Sequence, residues 1–199
     1  PDELDGALHP RTSHQVLGSE QVDHLEERRP ALADPQKVSV QRINRVLEMA
    51  LDNFGRVDIL VNNAGTSMAK QFEAVSDADW ESDFDLKVWG AIRFIRAVIP
   101  EMRKVGGGRI INVTNLAART PGASSMPTSI SRAAGIAITK ALSKDLAQDN
   151  ILVTTVCIGL IKSGQHEKRF ALRLAASPGL TADALYDEYA KSRAVPLGR

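Results

Sequence analysis

Apolar residues along this chain alternate between two rhythms. Ile43, Val46, Leu47, Ala50, Leu51 and Phe54 recur at the three-and-four spacing of one helix face, so an amphipathic helix is predicted from about residue 37, ending at Gly55. "VDILV" follows as a short apolar, partly β-branched run that suits a buried parallel strand. Ser76 with Asp79 three residues later marks the start of a second helix. Its apolar face includes Val88, Ala91, Ile92, Ile95, Val98, Ile99 and Met102, and Gly106 to Gly108 then release the chain to turn. "RIINV" reads as the next strand, a third helix carries Ile130, Ala133, Ala134, Ala137, Ile138, Ala141 and Leu142 on one side, and "ILVTTVCI" reads as the third strand. The remainder predicts two short helices separated by "SPG", the second capped by Thr181.

Helix and strand alternating in this way imply an α/β fold, a parallel sheet with right-handed crossovers and helices on both faces. Ligands of such sheets gather beyond the carboxyl ends of the strands. The segments "NNAG", "TNLAA" and "IGLIKSG" are therefore expected to open on one crevice.

Residues 1–36 break the pattern, with eight acidic and three basic residues, three of the four histidines and no sustained period. Only "SEQVDHLEERR", with Ser19 as cap, suggests a short charged helix there. The length of 199 residues suits one domain. A formal charge of +1, without a basic stripe interleaved with aromatics, gives no reason to expect nucleic acid. No apolar stretch reaches about 18 residues, and the polar start has the character of neither a signal peptide nor an anchor, so no membrane association and a cytoplasmic location are expected. The lone Cys157 reads as a small buried hydrophobe. His9, His14 and His24 lack compact ligand spacing, so no metal site is expected. His166 reads as a solvated loop histidine, with an acid or base role as the alternative, and Tyr186 and Tyr189 read as helix-packing residues.

"FGRVDILVNNAG", "GGGRIINVTNLAA", "SISRAAGIAITKALSKDLAQDNILVTTVCIGLIKSG" and "PLGR" together resemble the short-chain dehydrogenase/reductase family over roughly residues 36–199. The resemblance implies a Rossmann-like domain over 37–199, incomplete at its N- and C-terminal ends, with substrate-loop helices over 164–193 and an irregular acidic segment over 1–36. It places Asn115, Thr128, Arg132 and Lys87 where the family carries its catalytic serine, tyrosine, lysine and asparagine. All four positions are substituted. It also implies NAD or NADP as cofactor, lined by Asn63, Ala64, Gly65, Gly159 and Ser163, yet the family's glycine-rich phosphate loop is not recognisable and Ala31 stands at its acidic position. A homo-oligomer through helices 84–104 and 127–148 is implied as well, and the incomplete sheet would leave both edges open to association.

Chemistry narrows these expectations. A phenol near pKa 10 can be tuned into a general acid by an adjacent cation, whereas the aliphatic hydroxyl of Thr128 cannot and is shorter by most of a ring. Arg132 keeps a positive charge with a planar fork of donors that could take ribose hydroxyls or an anion, and Asn115 keeps an amide donor. Thr128 and Arg132 themselves are read as solvated or capping residues left behind once chemistry was abandoned, since fold does not imply function. Three functions stay open. One is an oxidoreductase by descent that is impaired or inactive as a dehydrogenase. Another is a binding or scaffold protein acting through its crevice or apolar helices. The third is a non-redox lyase or isomerase that uses Lys87, Asn115 and Arg132 as fixed donors.

Overall fold

The computed structural model describes residues 38–192 apart from Leu160, Lys162, Ser163 and Pro178. The readings at Ser19, at His9, His14 and His24, at Ala31 and at Ser163 lie outside the described residues.

Helix α1 (Val40–Phe54) begins where Ser39 Oγ accepts the Arg42 N–H at 3.3 Å. It stops at Gly55, whose φ of 72° is left-handed and whose N–H reaches Leu51 O at 2.7 Å. Strand β1 (Ile59–Asn62) follows. Helix α2 (Asp77–Phe84) opens on the capping box foreseen at Ser76 and Asp79. The apolar period then predicts one continuous helix, but the backbone widens into a π-turn over Asp85–Trp89 before α3 (Gly90–Lys104) resumes the α pitch. The extra residue of that turn shifts its side chains relative to a regular helix.

Strand β2 (Gly108–Asn115), helix α4 (Thr128–Asp145) and strand β3 (Ile151–Ile158) complete the layer. Among the described residues the sheet order is β1-β2-β3, with β1 and β2 parallel and Ile59, Leu60, Val61 and Asn62 opposite Arg109, Ile110, Ile111 and Asn112. The turn into β2 requires glycine at Gly107: its φ is 141°, and a Cβ there would lie 2.5 Å from Asn150 O. Ile95, Val98 and Met102 of α3 pack against Ile110, Ile151 and Val153 of the sheet, with Leu146 closing the cluster beside α4. A polar chain crosses this apolar layer. Asn62 Nδ2 donates to Asn112 Oδ1 at 2.8 Å, Asn112 Nδ2 to Thr139 Oγ1 at 2.8 Å, and Thr155 Oγ1 to Thr139 Oγ1 at 2.7 Å. Strands and helix are thereby tied at fixed register, because a buried donor without an acceptor is costly.

The chain divides into two compact units at Val156 and Cys157, so the second begins with the last residues of β3. Cys157 is half-buried there, less enclosed than expected. The second unit holds α5 (Gly164–Ala176) and α6 (Ala182–Ser192), whose first turn is capped by Thr181 Oγ1 accepting the Ala184 N–H at 3.2 Å. Phe170, Leu185 and Tyr186 form its core, with Tyr189 packed against them, as the helix-packing reading of the tyrosines requires. His166 corrects its own reading. It sits within α5, half-buried, with ring centroids 5.3–5.9 Å from Phe170, Tyr186 and Tyr189, because the segment after Gly164 is helical and turns the imidazole onto that aromatic core. Among the described residues no helix is long and apolar enough to cross a membrane.

Candidate active site

The carboxyl ends of β1 and β2 open toward the start of α4 and the π-turn. β1 runs out into Asn63, Ala64 and Gly65, all exposed, and β2 ends at Asn115 before a tight turn over Leu116–Ala118. The following loop is pinned to the segment after "NNAG" by a backbone pair: Lys70 N–H donates to Met126 O at 2.8 Å and Met126 N–H to Lys70 O at 3.3 Å. This pairing sets Thr128, the first residue of α4, beneath residue 68.

Asp83, on the last turn of α2, is 1% exposed and organises the site. One carboxylate oxygen, Oδ1, pairs with Lys87 Nζ from the π-turn four residues on. The other, Oδ2, accepts the Ser131 hydroxyl at 2.5 Å. Thr128, 5% exposed, accepts the Met68 N–H on its Oγ1 at 2.9 Å, and Lys87 Nζ lies 3.5 Å from the same oxygen. Arg132, one turn along α4, donates from Nη1 to Val113 O at 3.1 Å. Its Nη2 lies close to Gly65, where an added Cβ would sit 3.2 Å from that nitrogen and 3.6 Å from Lys87 Cε. Glycine at 65 is therefore what lets the exposed loop lie against the two cations.

Electrostatics follow from this enclosure. Burial pushes the Lys87 ammonium below its usual range, opposed by the hydrogen bond and charge of Asp83, while the Arg132 charge pushes in the same direction as burial. Burial likewise lowers Arg132, with Asp83 opposing. Two cations thus share one carboxylate. Among the described residues two buried side-chain atoms are left without hydrogen-bond partners, Arg132 Nε and Asn115 Oδ1.

The structure brings Lys87, Thr128, Arg132 and Gly65 together, and it corrects the reading of Thr128 as a solvated or capping residue, since Thr128 is buried, while Arg132 is half-buried. Both are drawn inward, Thr128 by the Met68 N–H and Arg132 by the Val113 carbonyl. Asn115 stands at the end of β2 with its Oδ1 unused. Asn63 and Ala64 line the exposed loop, and Gly159 follows β3, exposed, with open space where a Cβ would be. Two site residues escaped the sequence reading. Asp83 carries a signal, its i,i+4 spacing to Lys87, which places a carboxylate and an ammonium on one helix face. Ser131 carries none beyond lying one turn past Thr128.

Comparison with known proteins agrees with this architecture. The family model for short chain dehydrogenases matches residues 17–172. The chain is 30% identical over 158 residues to the 3-oxoacyl-(acyl-carrier-protein) reductase FabG of Thermotoga maritima, covering 76% of this chain and 64% of that protein. The crystal structure of L-sorbose reductase from Gluconobacter frateurii, complexed with NADPH and L-sorbose, superposes with a TM-score of 0.76 at 30% identity, covering 81% of this chain and 61% of that one. The 3-ketoacyl-(acyl-carrier-protein) reductase of Brucella melitensis, complexed with NADH, gives a TM-score of 0.63 at 26% identity over 64% of this chain and 55% of that one. The chain spans about 60% of the length of the curated relatives it matches. Matched over most of its length by that model, the chain belongs to the short chain dehydrogenase family.

Proposed function

We propose that this chain is an oxidoreductase by lineage that is impaired as a dehydrogenase. The observation that carries the reading is the closed state of the polar cluster. Thr128 Oγ1, at the position from which the family's tyrosine would act, already accepts the Met68 N–H, and the Lys87 ammonium beside it is held by Asp83. Reduction of a carbonyl needs a proton delivered to the developing alkoxide by a group whose pKa lies near the working pH. An aliphatic hydroxyl does not meet that need, and the one titratable cation within reach of it is committed to a buried carboxylate.

NAD or NADP is the cofactor that family membership points to, and when bound it would supply a hydride. Asn63, Ala64 and Gly65 stand exposed where they could line it, joined through the resemblance by Gly159 and Ser163. The residues at the family's ribose-clamping positions fit less well, since Thr128 Oγ1 already accepts the Met68 N–H and Arg132 Nη1 already donates to Val113 O. A lyase or isomerase reading is weakened by the buried ion pair, because Lys87 is held by Asp83 with its side chain only 5% exposed. Self-association through 84–104 and 127–148 is supported by Trp89 and Ile130, both exposed large apolar residues on those segments. Sedimentation of the purified chain tests it.

The functional test is incubation of the chain with NADH or NADPH and a panel of ketoses and 3-oxoacyl thioesters, followed by cofactor absorbance. Oxidation no faster than in the protein-free control is expected. Robust turnover of any panel member would overturn the reading.

A further inference from the structure

Among the described residues no carboxylate lies within ion-pair distance of Arg132. Asp83 acts on it through charge alone, its Oδ1 engaging Lys87 and its Oδ2 Ser131. The guanidinium rests instead on a neutral carbonyl, Val113 O. The cluster of Asp83, Lys87 and Arg132 therefore carries one surplus positive charge in a half-enclosed place, and an unpaired charge removed from water is strongly unfavourable. The Nε atom is buried and donates to nothing. Asn115 Oδ1, two residues beyond Val113 on the same strand end, is buried and accepts nothing.

We propose that this crevice binds a small organic carboxylate, its charge on Arg132 and an adjacent hydroxyl donating to Asn115. A planar guanidinium holds a carboxylate through parallel N–H donors, which an ammonium at this position could not do. One surplus positive charge is balanced by a monoanion, whereas a phosphate dianion would leave the site as uncompensated as before with the sign reversed. At Gly65 the loop presents no side chain to Nη2, where a Cβ would sit 3.2 Å away. The site does not depend on whether hydride transfer survives, and the turnover test reports on that separately.

The test is calorimetric titration of the full chain, in buffer lacking carboxylate and phosphate, with lactate, acetate, lactamide and inorganic phosphate. Lactate should bind more tightly than acetate, and lactamide, which has the same shape without the charge, should bind at least tenfold more weakly than lactate. Arg132→Gln should reduce lactate affinity at least tenfold, and Asn115→Ala should bring lactate down to the level of acetate. Arg132→Lys should retain weakened binding, which keeps the comparison usable if the glutamine variant does not fold. Thermal unfolding gives a second reading: lactate should raise the midpoint of the wild type and leave that of Arg132→Met unmoved. Equal binding of lactate and lactamide, unchanged lactate affinity in Arg132→Gln, preference for phosphate, or no binding of either carboxylate would overturn the proposal.

Discussion

Replacing Asp83 by asparagine probes the buried cluster at its centre. The substitution keeps shape and can keep a hydrogen bond to Ser131, but it strands the Lys87 ammonium, whose side chain is only 5% exposed. Breaking a buried ion pair by removing one partner costs about 3–5 kcal/mol. An independent ceiling comes from the lysine itself. Shedding its proton at neutral pH, starting from an ordinary pKa of 10.5, costs about 5 kcal/mol. Loss in that range should lower the thermal midpoint by roughly 6–20 °C for a chain of this size. Urea and thermal unfolding of Asp83→Asn, Lys87→Met and the double variant measure it as a cycle. The double variant, which removes both members of the pair and leaves the net charge of the cluster unchanged, should recover most of the loss. A single-variant loss below about 1 kcal/mol, the value of an exposed pair, would refute the reasoning, as would a double variant no more stable than Asp83→Asn.

Further expectations concern proton linkage and the polar chain. Because Lys87 has its pKa lowered on folding, the folded state holds fewer protons than the unfolded one between that lowered value and 10.5, so this group's contribution makes stability rise with pH through that window. Urea midpoints from neutral to alkaline pH should rise for the wild type relative to Lys87→Met, and parallel curves would contradict the shift. Asp79, held down to about 2 by its hydrogen bond from Lys70 and those from Ser76, adds stability above the ordinary carboxylate value of 3.8 that is lost as pH falls toward about 2. Carboxyl NMR should place its titration near that value and move it upward in Lys70→Met; an unmoved midpoint would remove Lys70 as the cause. Thr139→Val keeps shape but takes away the oxygen that accepts from both Asn112 and Thr155. It should cost about 2–5 kcal/mol in urea unfolding, and near-neutrality would show that water replaces the lost acceptor.

Much of the fold is legible in local pattern. The period through Ile43 to Phe54, the Ser76 and Asp79 box and the Gly55 stop each depend on neighbours a few residues apart, and each reappears in α1 and α2. The π-turn at Asp85–Trp89 is not legible, because one added residue barely disturbs an apolar period that resumes in α3. The site is legible as a set of positions and not as an arrangement. Lys87, Thr128 and Arg132 are placed by the family resemblance, but their burial follows from contacts made across the chain, from Met68 to Thr128 and from Ser131 to Asp83. A carboxylate in a run as polar as "DADWESD" reads as solvated until the fold shows what covers it. His166 fails for the same reason, since its aromatic neighbours Tyr186 and Tyr189 come from a later helix.

The closed pair of Lys87 and Asp83 is tested most directly by NMR of the Lys87 Nζ ammonium in protein carrying nitrogen-15 lysine, assigned through Lys87→Met. A slowly exchanging ammonium signal that survives addition of NADH or NADPH and is lost in Asp83→Asn is the expected result. An ammonium that exchanges as fast as surface lysines, ignores Asp83→Asn and shifts on cofactor addition would mean that Lys87 is available to the substrate side, and the impaired reading of this site would be wrong.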